Sequence, residues 1–157
     1  MKRRQTGIPR QWLIVDGRLG EQLWPAVRKL PRGSGVLLLH HDLGSRERQK
    51  LLLQLRRSAR AKNLRIVDGA SGDAARVHNI AELRKALLAR TPLVLLSPLH
   101  PSASHPDWSP LPRMRAAALA RLACRRLAAL GGMDSKRFSR VQRLGFQAWA
   151  GIDAFRT

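Results

Sequence analysis

The sequence predicts an α/β protein in which βα units build a parallel sheet, and three observations predict it. Short apolar runs rich in Val, Ile and Leu alternate along the chain with longer segments of helical period. About seven such runs can be counted, one short of the eight strands in a closed (β/α) barrel. The last two strands run into small-residue turns, Leu130-Gly131-Gly132-Met133 and Gly151-Ile152-Asp153-Ala154, where a barrel holds phosphate.

The first strand is read at 12–15, followed by a helical stretch through Leu23, Val27 and Leu30 that Pro31 and Gly33 end. A second strand at 36–39 leads to a helix starting near Ser45. Its Leu51, Leu52, Leu55 and Ala59 form one apolar stripe, with Arg46, Arg48, Lys50, Arg56, Arg57, Arg60 and Lys62 around it as a solvated face. Strands at 64–67 and 75–77 follow, joined by a turn-rich link (Gly69, Ser71, Gly72, Asp73) with no room for a helix. Asn79 and Glu82 have the spacing of a reciprocal helix cap, and Ile80, Leu83 and Leu87 are expected to be that helix's buried stripe. After a strand at 93–96 comes a loop too rich in proline for regular structure. Met114, Ala118 and Leu122 mark the next helix, and 126–130 the next strand. Asp134 or Ser135 caps a helix carrying Phe138, Val141 and Leu144, which Gly145 ends, and the final strand is 148–151.

A chain of 157 residues with 44% hydrophobic content can build one domain with one core, so 1–157 is read as a single domain, with 1–10 a basic segment that need not be ordered. Its apolar runs are far too short to cross a bilayer, and no signal-peptide pattern opens the chain. A soluble, cytoplasmic protein is the expectation. The single cysteine, Cys124, fits a reducing compartment and is expected to be a buried structural thiol near a strand start. A formal net charge of +20 points toward anionic partners. Nucleic acid is disfavoured among these, because there is no zinc-finger spacing, no Gly-rich clamp, no Tyr and few other aromatic residues to stack on bases.

Loops at the carboxyl ends of strands carry the candidate chemistry. The two glycines of Gly131-Gly132 let backbone approach an anion, although a tight strand-to-helix turn would use them equally. The loop holding Ser97, Ser102, Ser104 and His105 concentrates hydroxyls and imidazole between prolines, which suits polar recognition of a ligand. His78, at a strand end before a capped helix, has the chemistry of a proton carrier near neutral pH; a structural role is the commoner use of a lone His. His40-His41-Asp42 is discounted as a metal site because adjacent strand residues point to opposite faces.

In order, Val77-His78-Asn79, the loop from Ser97 through Pro106, Ala129-Leu130-Gly131-Gly132-Met133 and Ala150-Gly151-Ile152-Asp153-Ala154 resemble the C-terminal half of the thiamine phosphate synthase/TenI family. Residues 12–16 resemble its first strand more loosely. The resemblance implies a TIM-type (β/α) barrel, shortened here by about one βα unit. It implies a thiazole phosphate site formed by Ser97, Ser102, Ser104, His105, Gly131, Gly132, Gly151, Ile152 and Asp153. Synthases join thiazole phosphate to an aminopyrimidine diphosphate with magnesium (Mg2+), while TenI-like relatives tautomerise a thiazole phosphate through a histidine matched by His78. The family's diphosphate-gripping second strand is replaced here by Leu37-Leu38-Leu39-His40-His41, and its Asn-Asp pair by Val67-Asp68-Gly69, leaving Asp68 as the remaining metal candidate. Phosphate binding without turnover is a third outcome of the resemblance. A barrel short of a unit leaves strand edges open, so a homo-oligomer is expected.

Overall fold

Seven strands and five helices alternate as β1 (Gln11–Val15), α1 (Leu23–Lys29), β2 (Gly35–Leu38), α2 (Ser45–Ala59), β3 (Arg65–Asp68), β4 (Ala74–Val77), α3 (Ile80–Leu88), β5 (Leu93–Leu96), α4 (Arg113–Leu122), β6 (Leu127–Leu130), α5 (Ser135–Val141) and β7 (Ala148–Gly151). The computed structural model describes residues 7–124 and 126–156. All pairings are parallel, in the order β3-β2-β1-β7-β6-β5-β4. The first and last strands therefore lie side by side, as in a barrel that closes, and the sheet curls into a shortened TIM-type α/β barrel. Its only break among the described strands lies between β3 and β4. Residues 69–73 join them, whereas a crossover with its own helix needs roughly a dozen residues or more.

Period-two alternation sorts the strand residues into two layers. Trp12, Ile14, Leu37, Val67, Leu93, Leu95, Ala128, Ala148 and Ala150 fill the barrel interior. Between the sheet and its helices, Leu13, Val15, Val36 and Leu38 pack against α1 and α2, and Val77, Val94, Leu96, Leu127 and Ala129 against α3, α4 and α5. Trp12 needs its neighbour to be small. It pairs in register with Gly35, where a Cβ would lie 2.2 Å from the indole, and its Nε1–H donates to Pro9 O at 2.9 Å.

α2 packs by Leu52, Leu55 and Ala59, with Leu51 half-buried; each fully buried leucine contributes about 2 kcal/mol. Arg48 departs from the expected solvated face: its side chain is only 13% exposed and turns inward to bond Asp68 and the Leu38 and His40 carbonyls. In α3, Asn79 Oδ1 accepts from Glu82 N as predicted, but the Glu82 carboxylate accepts from His78 N. The buried face is Leu83 and Ala86; Ile80 is 44% exposed. In α4 the positions Met114, Ala118 and Leu122 lie on the outer face, and Ala116, Ala117, Leu119 and Ala120 pack inward. Alanines let this helix sit close to the sheet, and an apolar stripe read only by spacing selects the wrong side. Cys124 is exposed in the turn before β6, at φ 42°, not buried in a strand. Asp134 caps α5 by accepting from Arg137 N at 2.7 Å, and Gly145 ends the following turn at φ 110°. At the start of the described chain, Arg10 lies over the Phe138 ring, and its carbonyl accepts from Trp149 N. Residues 1–6 of the basic segment lie outside the described residues.

Candidate functional site

The carboxyl ends of β1, β2, β4, β5, β6 and β7 surround a cavity of about 500 Å³. Ser97, Ser102, Ser104, His105, Gly131, Gly132, Gly151, Ile152 and Asp153 all line it. Strand order explains the convergence. β5, β6 and β7 are consecutive neighbours, so the loops leaving them meet above one section of the mouth.

The long loop after β5 is folded onto the turn after β6. Leu99 N–H donates to Leu130 O at 3.0 Å and His100 N–H to Gly131 O at 3.2 Å. Ser102 pairs with His105 in a one-residue bridge, and Ser102 Oγ accepts from Ser104 N at 3.2 Å. Gly132, at φ 57°, lies so near this loop that a Cβ would be 2.4 Å from Pro101 O. The turns after β6 and β7 have a second property. Among the described residues, none of the amides of Gly131, Gly132, Met133, Ile152 and Asp153 donates to an acceptor of the protein. Successive uncommitted amides in a turn with positive φ form a concavity that attracts anions.

His78 and Asp68 stand apart from this group. His78 does not line the cavity; it touches it through Ser97 and Trp108, which do. Its Nδ1 lies 2.9 Å from Ser97 O and 3.2 Å from Ser97 Oγ. A carbonyl only accepts, so Nδ1 carries a proton, and in the neutral ring the lone pair is on Nε2. The His78 ring meets Trp108 edge-on at 5.4 Å, and Trp108 stacks on His105 at 4.2 Å. Asp68 lines a second cleft, at the open side of the barrel beside Arg65, Ser71, Asp73 and Leu93.

Asp68 Oδ1 accepts from Arg48 Nε at 2.9 Å, Arg48 Nη2 at 2.6 Å and Ala70 N at 3.0 Å. Burial pushes its pKa upward, but the Arg48 and Ala70 hydrogen bonds and the charges of Arg48 and Arg56 outweigh it, and the carboxyl titrates below its ordinary range. His100 is also perturbed. Burial first, then Arg137 and Arg140, lower its pKa against the opposing pull of Asp134, and its Nε2 is buried without a partner.

Several cavity residues are not among those the sequence proposes for the site: Arg18, His41, Arg76, Trp108 and Arg137. Arg18 donates to both Asp16 oxygens, with Nη2 to Oδ2 at 2.6 Å. Arg137 Nη1 donates to Gly132 O, bracing the turn. Alternation along 74–77 was the available signal for Arg76, since Ala75 and Val77 suit the helix-facing layer and leave Arg76 to the interior.

No family model and no curated protein matches the chain. Among solved structures, a thiamine phosphate pyrophosphorylase from Pyrococcus furiosus is similar with a TM-score of 0.76 at 14% identity, over 92% of this chain and 86% of the other. A thiamine phosphate pyrophosphorylase from Bacteroides thetaiotaomicron is similar with a TM-score of 0.59 at 10% identity, over 93% and 83% of the two chains. The fold is thus a shortened TIM-type α/β barrel matching that of thiamine phosphate synthase. At such identities the likeness concerns the fold. No described helix is long and apolar enough to cross a membrane.

Proposed function

We propose that this protein binds thiazole phosphate, or a close ring phosphate, as a member of the thiamine phosphate synthase/TenI family working in thiamine biosynthesis in the cytoplasm. The observation that carries the reading is the pair of turns, 131–133 and 152–153, whose amides are uncommitted and whose residues line one cavity together with Ser97, Ser102 and Ser104. The phosphate rests against the Gly131-Gly132 turn with Arg137 behind it, and the ring lies toward Trp108. The solved neighbours support a phosphorylated thiamine precursor over other phosphates, because both are thiamine phosphate pyrophosphorylases.

The full synthase reaction has weaker support. It needs magnesium to hold a diphosphate, and the residues here do not fit that ion. Asp68, its one candidate carboxylate, lines the second cleft and not this cavity, and Arg48 and the Ala70 amide occupy its Oδ1. Coupling to an aminopyrimidine diphosphate is the part of the reading that lacks its own groups.

Tautomerisation is the second reading, favoured by one observation: the Ser97 carbonyl fixes the His78 tautomer, so that in the neutral ring Nε2 is the proton acceptor. Against it stands the position of His78 outside the cavity lining. His78→Ala should abolish tautomerisation while thiazole phosphate still binds; retained turnover would exclude His78 as the base.

The test of binding is calorimetric. Thiazole phosphate should bind at least tenfold tighter than the unphosphorylated thiazole alcohol, a difference of about 1.4 kcal/mol. Gly132→Ala should lose that preference. Equal affinity for the two compounds, or no binding of either, would overturn the proposal.

A further inference from the structure

Charge is sorted along the barrel axis. Because every strand pairing is parallel, each helix runs back against the sheet and ends beside the amino end of the next strand, at the floor of the barrel, while the ligand cavity lies at the other end. The five segments that return there, 26–35, 56–65, 85–93, 119–127 and 138–148, hold fifteen of the chain's 30 Arg and Lys residues and none of its 10 Asp and Glu residues. Nine of the ten carboxylates follow the carboxyl end of a strand or open a helix, on the cavity side. The tenth, Asp73 before β4, accepts from Ser71 Oγ at 2.8 Å.

The positive charge of the floor is not neutralised within the fold. None of its described basic residues forms an ion pair, and all are exposed except Lys62, which caps the Arg28 and Leu30 carbonyls. Helix dipoles favour cations in a last turn, but Arg32, Arg60, Arg65, Arg90 and Arg126 lie outside the five helices. A floor of this kind attracts a surface carrying many negative charges.

Apolar side chains at the same end decide which surface. Leu88 and Leu122 are the last residues of α3 and α4, the helices before and after β5, and they are 85% and 48% exposed. Leucines set in a basic field reach into the headgroup layer of a bilayer, whereas a phosphodiester backbone gives them nothing to bury against. We propose that the barrel floor docks on an anionic lipid bilayer, its arginines against the headgroups and Leu88 and Leu122 inserted among them, with the ligand cavity turned to the water. Docking is peripheral, since no described helix is long and apolar enough to cross a membrane.

Sedimentation with vesicles tests this arrangement. The protein should pellet with phosphatidylcholine vesicles that carry phosphatidylglycerol, stay in solution with phosphatidylcholine alone, and lose binding steeply as salt is raised. Lys85→Gln with Arg121→Gln should weaken binding about 25-fold, at about fivefold for each basic residue near an anionic surface. Leu88→Ser with Leu122→Ser should weaken it about tenfold or more at unchanged Tm, since both side chains are exposed. Met114→Ser, at a position 78% exposed but at the cavity end of α4, should leave it unchanged. Absence of binding to the anionic vesicles overturns the proposal, as does full binding by the leucine variant or an equal loss in Met114→Ser. A duplex oligonucleotide bound more tightly than the vesicles, and indifferent to both leucine substitutions, overturns it in favour of a nucleic acid backbone.

Discussion

Arg48 and Asp68 tie the first turns of α2 to the carboxyl end of β3, with Arg48 Nε and Nη2 both donating to Asp68 Oδ1, at 2.9 and 2.6 Å. The same guanidinium caps the carbonyls of Leu38 and His40. One side chain thus secures the carboxyl ends of β2 and β3, and β3 borders the open side of the barrel, where a further strand would otherwise supply partners.

Asp68→Asn should lower the unfolding free energy at neutral pH by about 1–3 kcal/mol, because a half-buried Arg48 loses its charged acceptor. Since the folded-state pKa is depressed, the pair stabilises the protein above the unfolded value of 3.8 and loses that contribution as pH falls through the lower folded value. Urea unfolding curves of the wild type and Asp68→Asn should differ at neutral pH and approach each other in strong acid. Equal stability at neutral pH would show that the pair contributes nothing.

Acid should act earlier at His100, whose folded-state pKa lies below its ordinary 6.5. The unfolded chain takes up the proton first, so the stability present above 6.5 is lost as pH falls from there toward the depressed folded value. His100→Asn should flatten the stability profile across that window. An unchanged slope would mean that the buried imidazole is protonated as easily as in the unfolded chain.

Trp108 is 46% exposed, while Trp12 and Trp149 are buried. Its indole is held by His105 on one face and by the edge of His78, and it lines the ligand cavity. Trp108→Ala should weaken a ring phosphate by about tenfold, as the loss of one stacking contact would, and leave the affinity for inorganic phosphate unchanged. Parallel losses for both ligands would indicate a collapsed loop rather than a lost stacking face.

At the barrel floor, Gly35→Ala places a methyl 2.2 Å from Trp12. Over-packing of this kind costs about 1–3 kcal/mol or more. Thermal melts should show the loss, and near-ultraviolet circular dichroism should report a displaced indole. A variant as stable as the wild type would mean that the floor repacks freely.

Much of this protein is legible from its residues in order. The seven strands, the Asn79 and Asp134 caps, the Gly145 stop and the turn at Gly131-Gly132 follow from local rules: apolar period, side-chain capping and backbone freedom act over a few residues. The nine residues proposed around the phosphate belong to the ends of β5, β6 and β7 or to the loops leaving them, and they line one cavity. Helix faces were less legible. Met114, Ala118 and Leu122 have buried-stripe spacing, yet the alanines opposite them face the sheet, because contact distance favours small side chains there. Only the tertiary structure decided that the gap falls between β3 and β4, that Arg48 turns from a solvated face to Asp68, and that the face Arg76 shares with Leu95 opens onto the ligand cavity. Those three facts depend on strand register and on neighbours distant in the chain, which local preferences do not encode.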